Sequence, residues 1–257
     1  MSDMEFFQFH PTGIAGRGML ITEGARGEGG YLVNREGERF MERYAPHARD
    51  LASRDVVSRA IATEVRDGRG CGEQGDHVLL KLEHLGAEKV HKRLPGVYDM
   101  VTTFLGFNPA EQPIPVYPTA HYTMGGIPTN RQGQVVIPVK DTPEEPMPGL
   151  YAAGECACVS VHGANRLGCN ALLDTLVFGR RAGISIKEFI QAVDFPKLAE
   201  QTEKQDGDRI NALMNSTGKE SSGPIRSELQ ESMMENVSVF RQKDSLDAAL
   251  AKIMQLK

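Results

Sequence analysis

The sequence predicts a mixed α/β fold over residues 1–190 and a mostly helical segment after them. Residues 1–48 interleave glycines with short apolar stretches such as Met19–Ile21, which is typical of strands joined by tight turns. Several later segments carry apolar residues at helical spacing. After Phe195–Pro196 glycine becomes rare and four of the eleven methionines follow, so the composition changes to that of a helical segment.

The elements of the first half follow in order. A helix is expected over residues 50–67, because apolar residues recur there at helical spacing and Gly68 supplies a stop. Residues 78–82 predict a strand, and short helices are expected on either side of Pro95. The proline-rich segment 112–118 predicts a connector at a crossover between domains.

The second half predicts short strands and then helices. Residues 121–154 indicate several strands with glycine turns, and a helix is expected from Asn170 to about Gln191. A linker is expected near residues 192–196. Two further amphipathic helices are predicted, one over 245–257 and one from the spacing of Leu229, Met233, Val237 and Phe240.

Composition excludes several classes of protein. The 257 residues are 40 % hydrophobic and 25 % charged, which suffices for a core and excludes disordered and collagen-like chains. The net charge of −5 argues against a nucleic-acid partner, because binding phosphates needs a basic surface. Four cysteines in a chain of this length indicate a reducing compartment. Both ends begin or stop within motif-like or helical sequence, so we expect a piece of a longer protein.

Four clusters could carry chemistry, and each also has a purely structural reading. His10 before a proline is typical of a turn, the glycines of 22–30 fit a surface hairpin as well as an anion site, and Arg54 beside Asp55 fits an exposed pair at a helix start. The fourth cluster is a Gly- and Asn-rich loop that runs into a helix, which is typical of an anion or cofactor site. The clusters are residues 8–13, 22–30, 53–55, and 121–126 with 154–172.

Two common kinds of site are excluded. The pairs Gly16/Gly18 and Gly27/Gly29 lack the third glycine of the GxGxxG dinucleotide fingerprint, and the string GCGEQG at 70–75, which has that spacing, precedes a predicted strand instead of following one. The pair Cys156 and Cys158 has no second pair at a metal-binding spacing, so two cysteines packed beside a strand are the better interpretation.

Taken together, the clusters resemble the flavoprotein subunit of the succinate dehydrogenase and fumarate reductase family. The strings QFHPTG, TEGARGEGG, LASRDVV, PTAHYTMGGIPTN and GECACVSVHGANRLGCNALLDTLVFGR occur in that family's order and at nearly its spacing. The resemblance extends from about Met4 to Gly183. It implies an α+β capping domain at 5–119, part of an α/β flavin-binding domain at 120–190, and the start of a helical domain at 195–257.

The resemblance also implies roles for individual residues. The family oxidises succinate to fumarate, or the reverse, by hydride transfer to FAD, with an arginine that transfers the proton. His10 and Thr22 match the grip on one substrate carboxylate, and His121 with Arg166 match the grip on the other. Arg54 matches the proton-transfer residue, and Glu23 with Arg26 match its relay to solvent. The flavin contacts are matched by Glu155, Asn170, Ala171 and Leu172; Ala171 stands where the family usually has serine.

Cofactor, partners and location follow from the same resemblance. It implies FAD in the full-length protein, with the diphosphate site outside this sequence, so we expect this chain alone to lack flavin and activity. It implies a dicarboxylate substrate, an iron–sulfur subunit and, through it, a membrane anchor. The expected location is peripheral, on the cytoplasmic face of a bacterial inner membrane or the mitochondrial matrix side. Two alternatives stay open: the related L-aspartate oxidase, and an inert fragment that keeps only folding and protein-interaction surfaces.

Overall fold

A computed structural model describes residues 1–139, 142–195, 197, 200–218 and 220–257, apart from the side chains of 138–139, 142–144 and 200–202. Strands and helices are mixed up to residue 192, and helices follow, as the sequence predicts. The strands are β1 Phe7–Ile14, β2 Tyr31–Val33, β3 Val78–Lys81, β4 Ile114–Thr123, β5 Ile127–Pro128, β6 Gln134–Val139, β7 Thr142–Tyr151 and β8 Ala157–Cys158. The α-helices are α1 Gly24–Gly27, α2 Met41–Tyr44, α3 Arg54–Arg66, α4 Ala87–Arg93, α5 Pro95–Leu105, α6 Asn170–Ala192, α7 Glu200–Met214, α8 Ser222–Asn236 and α9 Lys243–Leu256.

A four-stranded antiparallel sheet of order β1-β4-β3-β2 forms the platform of the first half. Helix α3 packs on β1 and β4 through its apolar stripe, in which Val57, Ala60 and Ile61 are at most 2 % exposed. Each buried valine or isoleucine contributes about 1.5–3 kcal/mol. This packing fixes the start of α3 beside the sheet. The helix begins at Arg54 rather than at residue 50, because Ser53 is extended (φ −57°, ψ 151°) and residues 49–51 form a separate 3₁₀ turn.

The proline-rich segment is a strand, so the prediction of a connector over residues 112–118 is wrong. Strand β4 runs through it and lies between β1 and β3. Pro115 is tolerated because its carbonyl still accepts a hydrogen bond from the Ala15 amide at 3.0 Å. Pro118 lies past the end of the pairing with β3. The domain boundary at 119–120 falls within β4 and stays a prediction.

The second half is built of smaller units. Strands β5 and β8 pair in parallel, and β6 and β7 form an antiparallel pair. The long helix α6 and the last helix α9 confirm two predictions. The predicted linker near 192–196 begins where α6 ends, and Pro196 lies outside the described residues. No described helix is both long and apolar enough to cross a membrane.

One helix prediction is wrong at its end. Helix α8 stops at Asn236, so Val237 and Phe240 do not extend its apolar stripe. The ring of Phe240 instead packs under the guanidinium of Arg66, with 5.0 Å between Cζ and the ring centroid. Phe240 therefore makes a cation–π contact with α3 and is not the last apolar residue of the predicted helix.

Candidate functional site

Strand β1 carries the first part of the candidate site. Gln8, His10 and Thr12 alternate along it, and they are 3 %, 3 % and 0 % exposed. The Thr12 amide donates to Nδ1 of His10 at 3.3 Å, and the Thr12 hydroxyl donates to the Ile21 carbonyl at 2.9 Å. Because Nδ1 accepts, the proton of the neutral His10 ring lies on Nε2, which can donate to a bound anion.

Gln8 joins two arginines that are far apart in the sequence. Its Oε1 accepts from Nη1 of Arg54 at 3.2 Å and from Nη2 of Arg166 at 3.0 Å. Its Nε2 donates to Oδ1 of Asn165 and to the Arg166 carbonyl, both at 2.7 Å. The amide is therefore fully used in holding the two guanidinium groups close together.

A register shift directs His121 into the same place. Tyr122 pairs with Gln8 and Ala120 pairs with Phe9, so His121 is the extra residue of a bulge in β4. Its ring lies edge-on to His10 with 5.3 Å between centroids. Nη2 of Arg166 lies 3.2 Å from Nε2 of His121 and can donate to it.

Arg54, Glu23 and Arg26 form a line that leads away from Gln8. Nε and Nη2 of Arg54 lie 3.1 and 3.0 Å from Oε2 of Glu23. The other oxygen of Glu23 lies 3.6 Å from Nη2 of Arg26. Arg26 is 2 % exposed and donates from Nη1 to the Asp50 carbonyl, while its Nε has no hydrogen-bond partner among the described residues.

The site is cationic, and its imidazoles are neutral at pH 7. Burial, and then the charges of Arg54 and its neighbours, lowers the pKa of His10 to about 3. Burial and the charges of Arg54 and Arg166 also lower the pKa of His121. Burial lowers the pKa of Arg166 and of Arg26. Two guanidinium groups and two neutral rings with N–H donors are a suitable set for carboxylate groups.

The remaining predicted residues lie at the edge of this cluster. Thr22 is exposed, and its hydroxyl accepts from the Gly24 amide at 3.3 Å. No hydrogen bond joins Thr22 to His10 among the described residues, so its substrate role stays a prediction. Glu155 is exposed and accepts from the Thr123 amide at 3.3 Å, and its charge acts on the pKa of His121.

Helix α6 presents its N-terminus without a side-chain cap. Cys169 precedes it in the left-handed conformation (φ +65°). The amides of Asn170 and Leu172 already donate to the carbonyls of Leu167 and Cys169, at 3.2 and 3.1 Å, so among the first amides of the helix it is that of Ala171 that is available to an anion or to a ring carbonyl oxygen. Leu172, which is 69 % exposed, adds apolar surface beside it. With the carboxylate of Glu155, these features fit the ring end of a flavin. No group of metal-binding side chains occurs among the described residues.

Sequence reasoning gave Gln8 no role. A signal was present, because Gln8 and His10 are two residues apart in a predicted strand and so share a face. Asn165 was missed too; its Nδ2 donates to Oδ1 of Asp55 at 3.1 Å and so connects the loop before α6 with the start of α3. Nothing in the sequence alone pairs residues 110 positions apart.

Comparison with known proteins identifies the family. The family model described as FAD binding domain matches residues 1–172, and that described as Fumarate reductase flavoprotein C-term matches residues 226–257. The succinate dehydrogenase flavoprotein subunit of Rickettsia bellii is 52 % identical over 258 residues, which cover all of this chain and 43 % of that protein. The mitochondrial succinate dehydrogenase flavoprotein subunit of Oryza sativa is 51 % identical over 251 residues, or 96 % of this chain and 39 % of that protein.

A solved structure of E. coli quinol fumarate reductase superposes with a TM-score of 0.86 at 39 % identity, covering 99 % of this chain and 44 % of the other. The Mycobacterium smegmatis Sdh1 complex gives a TM-score of 0.71 at 37 % identity, with 99 % and 40 % covered. This chain thus spans less than half the length of these relatives. It belongs to the FAD-binding domain family, and the resemblance to succinate dehydrogenase and fumarate reductase flavoprotein subunits that its motifs carry is confirmed.

Proposed function

We propose that this chain supplies the substrate site of a flavoprotein that interconverts succinate and fumarate. The observation that supports it most is the contact of Arg54 and Arg166 with one neutral amide, that of Gln8. Two guanidinium groups beside two neutral imidazoles, in a buried place, suit a small dianion better than any neutral ligand.

A dicarboxylate needs hydrogen-bond donors at both ends. In this proposal His10 and Thr22 hold one carboxylate, with His10 donating from Nε2. His121 and Arg166 hold the other carboxylate. Fixing both ends orients the two central carbons, and such orientation is a large part of catalysis.

Arg54 is proposed as the group that transfers the proton. It contacts Glu23 through two nitrogens, and Glu23 also faces Arg26. In this relay the carboxylate of Glu23 accepts a proton from one guanidinium group and passes a proton to the other. Arg26 then connects the line to the surface beside Asp50, where its Nη1 already donates to a backbone carbonyl.

FAD is the proposed cofactor and supplies the two-electron redox chemistry when bound. Glu155, Asn170, Ala171 and Leu172 would hold its ring end. Ala171 offers only a backbone amide there, because it has no hydroxyl.

The domain assignment and the partners belong to the same proposal. Residues 5–119 are proposed as a capping domain, 120–190 as part of the flavin-binding domain, and 195–257 as the start of a helical domain. The named relatives are subunits, and we propose an iron–sulfur subunit and, through it, a membrane anchor as partners. The protein would then lie peripherally on the cytoplasmic face of a bacterial inner membrane or on the mitochondrial matrix side.

Isothermal titration of the purified chain at pH 7 tests the substrate class. Succinate should bind more tightly than butyrate, which has one carboxylate. Arg166→Gln should weaken succinate binding about 10- to 100-fold, since a charge-assisted hydrogen bond contributes about 1.5–3 kcal/mol. Arg226→Gln, at an exposed position of α8, serves as the matched control. Equal binding of succinate and butyrate would overturn the proposal, and tighter binding of L-aspartate would support the amino-acid oxidase.

The redox proposal needs a second measurement on the intact flavoprotein that contains this chain. That protein should be yellow and should reduce a dye with succinate. A colourless protein without dye reduction would favour the alternative of an inert chain.

A further inference from the structure

Behind Arg166 lies a buried group of three side chains to which the proposed reaction assigns no role. The Tyr122 hydroxyl lies 3.3 Å from Nε2 of His162, and the same nitrogen lies 3.2 Å from Oδ2 of Asp174. The side chains of His162 and Asp174 are 7 % and 3 % exposed, and Tyr122 is 4 % exposed. Burial and the nearby Asp174 carboxylate raise the pKa of Tyr122 to about 12, so the phenol keeps its proton.

Arg166 is short of partners for a buried cation. It is 6 % exposed, its Nε has no hydrogen-bond partner, and it forms no ion pair with a carboxylate among the described residues. Its Cζ lies 4.4 Å from the centroid of the Tyr122 ring. The ring face thus adds to the support that this guanidinium receives from Gln8, from His121 and from the Leu167 carbonyl, which accepts from Nη1 at 3.2 Å.

We propose that Asp174, His162 and Tyr122 form a positioning triad for Arg166. The Asp174 carboxylate orients the imidazole, and both orient the phenol, whose ring face then holds the guanidinium. Asp174 therefore acts on Arg166 through His162 and Tyr122, without pairing with it. A direct ion pair would occupy the donors that an anion needs, whereas the ring face leaves them available.

The triad also joins two parts of the candidate site. Asp174 lies in the first turns of α6, His162 lies in the loop before it, and Tyr122 lies in β4. The same three side chains therefore fix the start of α6 relative to Arg166. The expected effect of the triad on succinate affinity rests on the proposed function, whereas its expected effect on the geometry of Arg166 does not.

Nuclear magnetic resonance of the side-chain Nε–H group of Arg166, assigned by its loss in Arg166→Lys, tests the geometry without any ligand. The signal should be shifted upfield by the ring and should exchange slowly with water. Tyr122→Leu should remove the upfield shift, and Tyr122→Phe, which keeps the ring but loses the hydroxyl that contacts His162, should reduce it in part. Asp174→Asn and His162→Gln should each reduce it, since the ring loses its anchor. Tyr117→Leu, on the same strand, is the matched control and should leave the signal unchanged.

An unchanged signal in Asp174→Asn and His162→Gln would overturn the triad. These two variants keep the core volume, so the test does not depend on the folding of Tyr122→Leu. A shift in Tyr122→Phe that lies between those of the wild type and Tyr122→Leu distinguishes a positioning ring from a general loss of structure, and a full shift in Tyr122→Phe would overturn the role of the hydroxyl.

Succinate titration of the same chains adds the second readout. Tyr122→Leu should weaken binding about 5- to 30-fold, the range of a desolvated cation–π contact. In the Arg166→Lys background the same change should have an effect of less than about twofold, because coupled residues are non-additive. Equal losses in both backgrounds would overturn the link to substrate affinity. A wild-type chain that binds no succinate, with the expected Arg166 signals, would refute the proposed function and leave the triad standing.

Discussion

Replacing Glu64 should weaken the helix on which the proton-transfer proposal depends. Glu64 lies near the end of α3, and its side chain is fully buried. Its carboxylate accepts from Arg69 at 2.8 and 2.9 Å, from Asn34 at 2.9 Å, from Tyr44 at 2.7 Å and from Arg43 at 3.0 Å. One carboxylate thus ties α3 to the segment after β2 and to α2.

The pKa of Glu64 gives the size of this contribution. Burial by itself would raise the pKa, but the hydrogen bonds from Arg69, Asn34 and the other donors outweigh it and lower the pKa from 4.5 to about 2. This lowering corresponds to about 3 kcal/mol of the free energy of unfolding, at about 1.36 kcal/mol per pH unit. Because the folded pKa lies below the unfolded value, the contribution is complete above pH 4.5 and is lost as the pH falls towards 2.

Glu64→Gln should therefore lower the free energy of unfolding by about 3–5 kcal/mol at pH 7, because two arginines lose their buried partner. Urea unfolding and hydrogen exchange of the α3 amides between pH 7 and pH 3 measure the effect. The difference between wild type and variant should shrink as the pH approaches 3. Glu38→Gln is the matched control, since Glu38 also contacts Arg43 but is 41 % exposed, and it should cost less than about 1 kcal/mol. A loss below about 1 kcal/mol for Glu64→Gln, or a loss that does not depend on pH, would refute this reasoning.

Three further predictions concern the candidate site. In the intact flavoprotein, Arg54→Lys should lower turnover by about 100-fold or more with little change in succinate affinity; near-normal turnover in a dye assay would exclude Arg54 as the proton-transfer group. Gln8→Glu should weaken succinate binding about tenfold or more, since the new carboxylate competes for both arginines; calorimetry checks this, with the exposed Gln112→Glu as the control. His10 should stay neutral down to about pH 3, so stability should fall as the pH drops from 6.5 towards 3, and imidazole resonances that titrate near 6.5 would contradict this.

Local sequence signals, such as helical spacing, were sufficient to predict the long helices. The start of α6 at Asn170 and the existence of α3 follow from helical spacing and flanking residues, although α3 begins at Arg54 and not at residue 50 as predicted. Such signals failed where tertiary contacts decide the structure. The prolines of β4 indicate a connector in isolation, yet pairing with β1 and β3 makes that segment a central strand. Phe240 fits a helical spacing but packs against Arg66 instead.

The candidate site shows the same division. The motifs identified the residue types, whereas the placement of His121 depends on a bulge in β4 and the contacts of Gln8 depend on a loop 158 positions away. The buried pair of His162 and Asp174 carries no sequence signal, because each residue is also common in solvated loops and helix ends. Contacts of this kind follow only from the assembled fold.

The neutrality of Gln8 explains how Arg54 and Arg166 can lie close together and keep the positive charge that the proposed binding of a dicarboxylate needs. A carboxylate at position 8 would stabilise both guanidinium groups and neutralise part of their charge. An amide oxygen accepts from both at 3.2 and 3.0 Å but brings no net charge. Repulsion between Arg54 and Arg166 therefore persists, as the effect of Arg54 on the pKa of Arg166 shows. A dicarboxylate that reached both groups, as we propose, would offset this repulsion, so part of its binding free energy would come from relieving an electrostatic cost that the folded chain already carries.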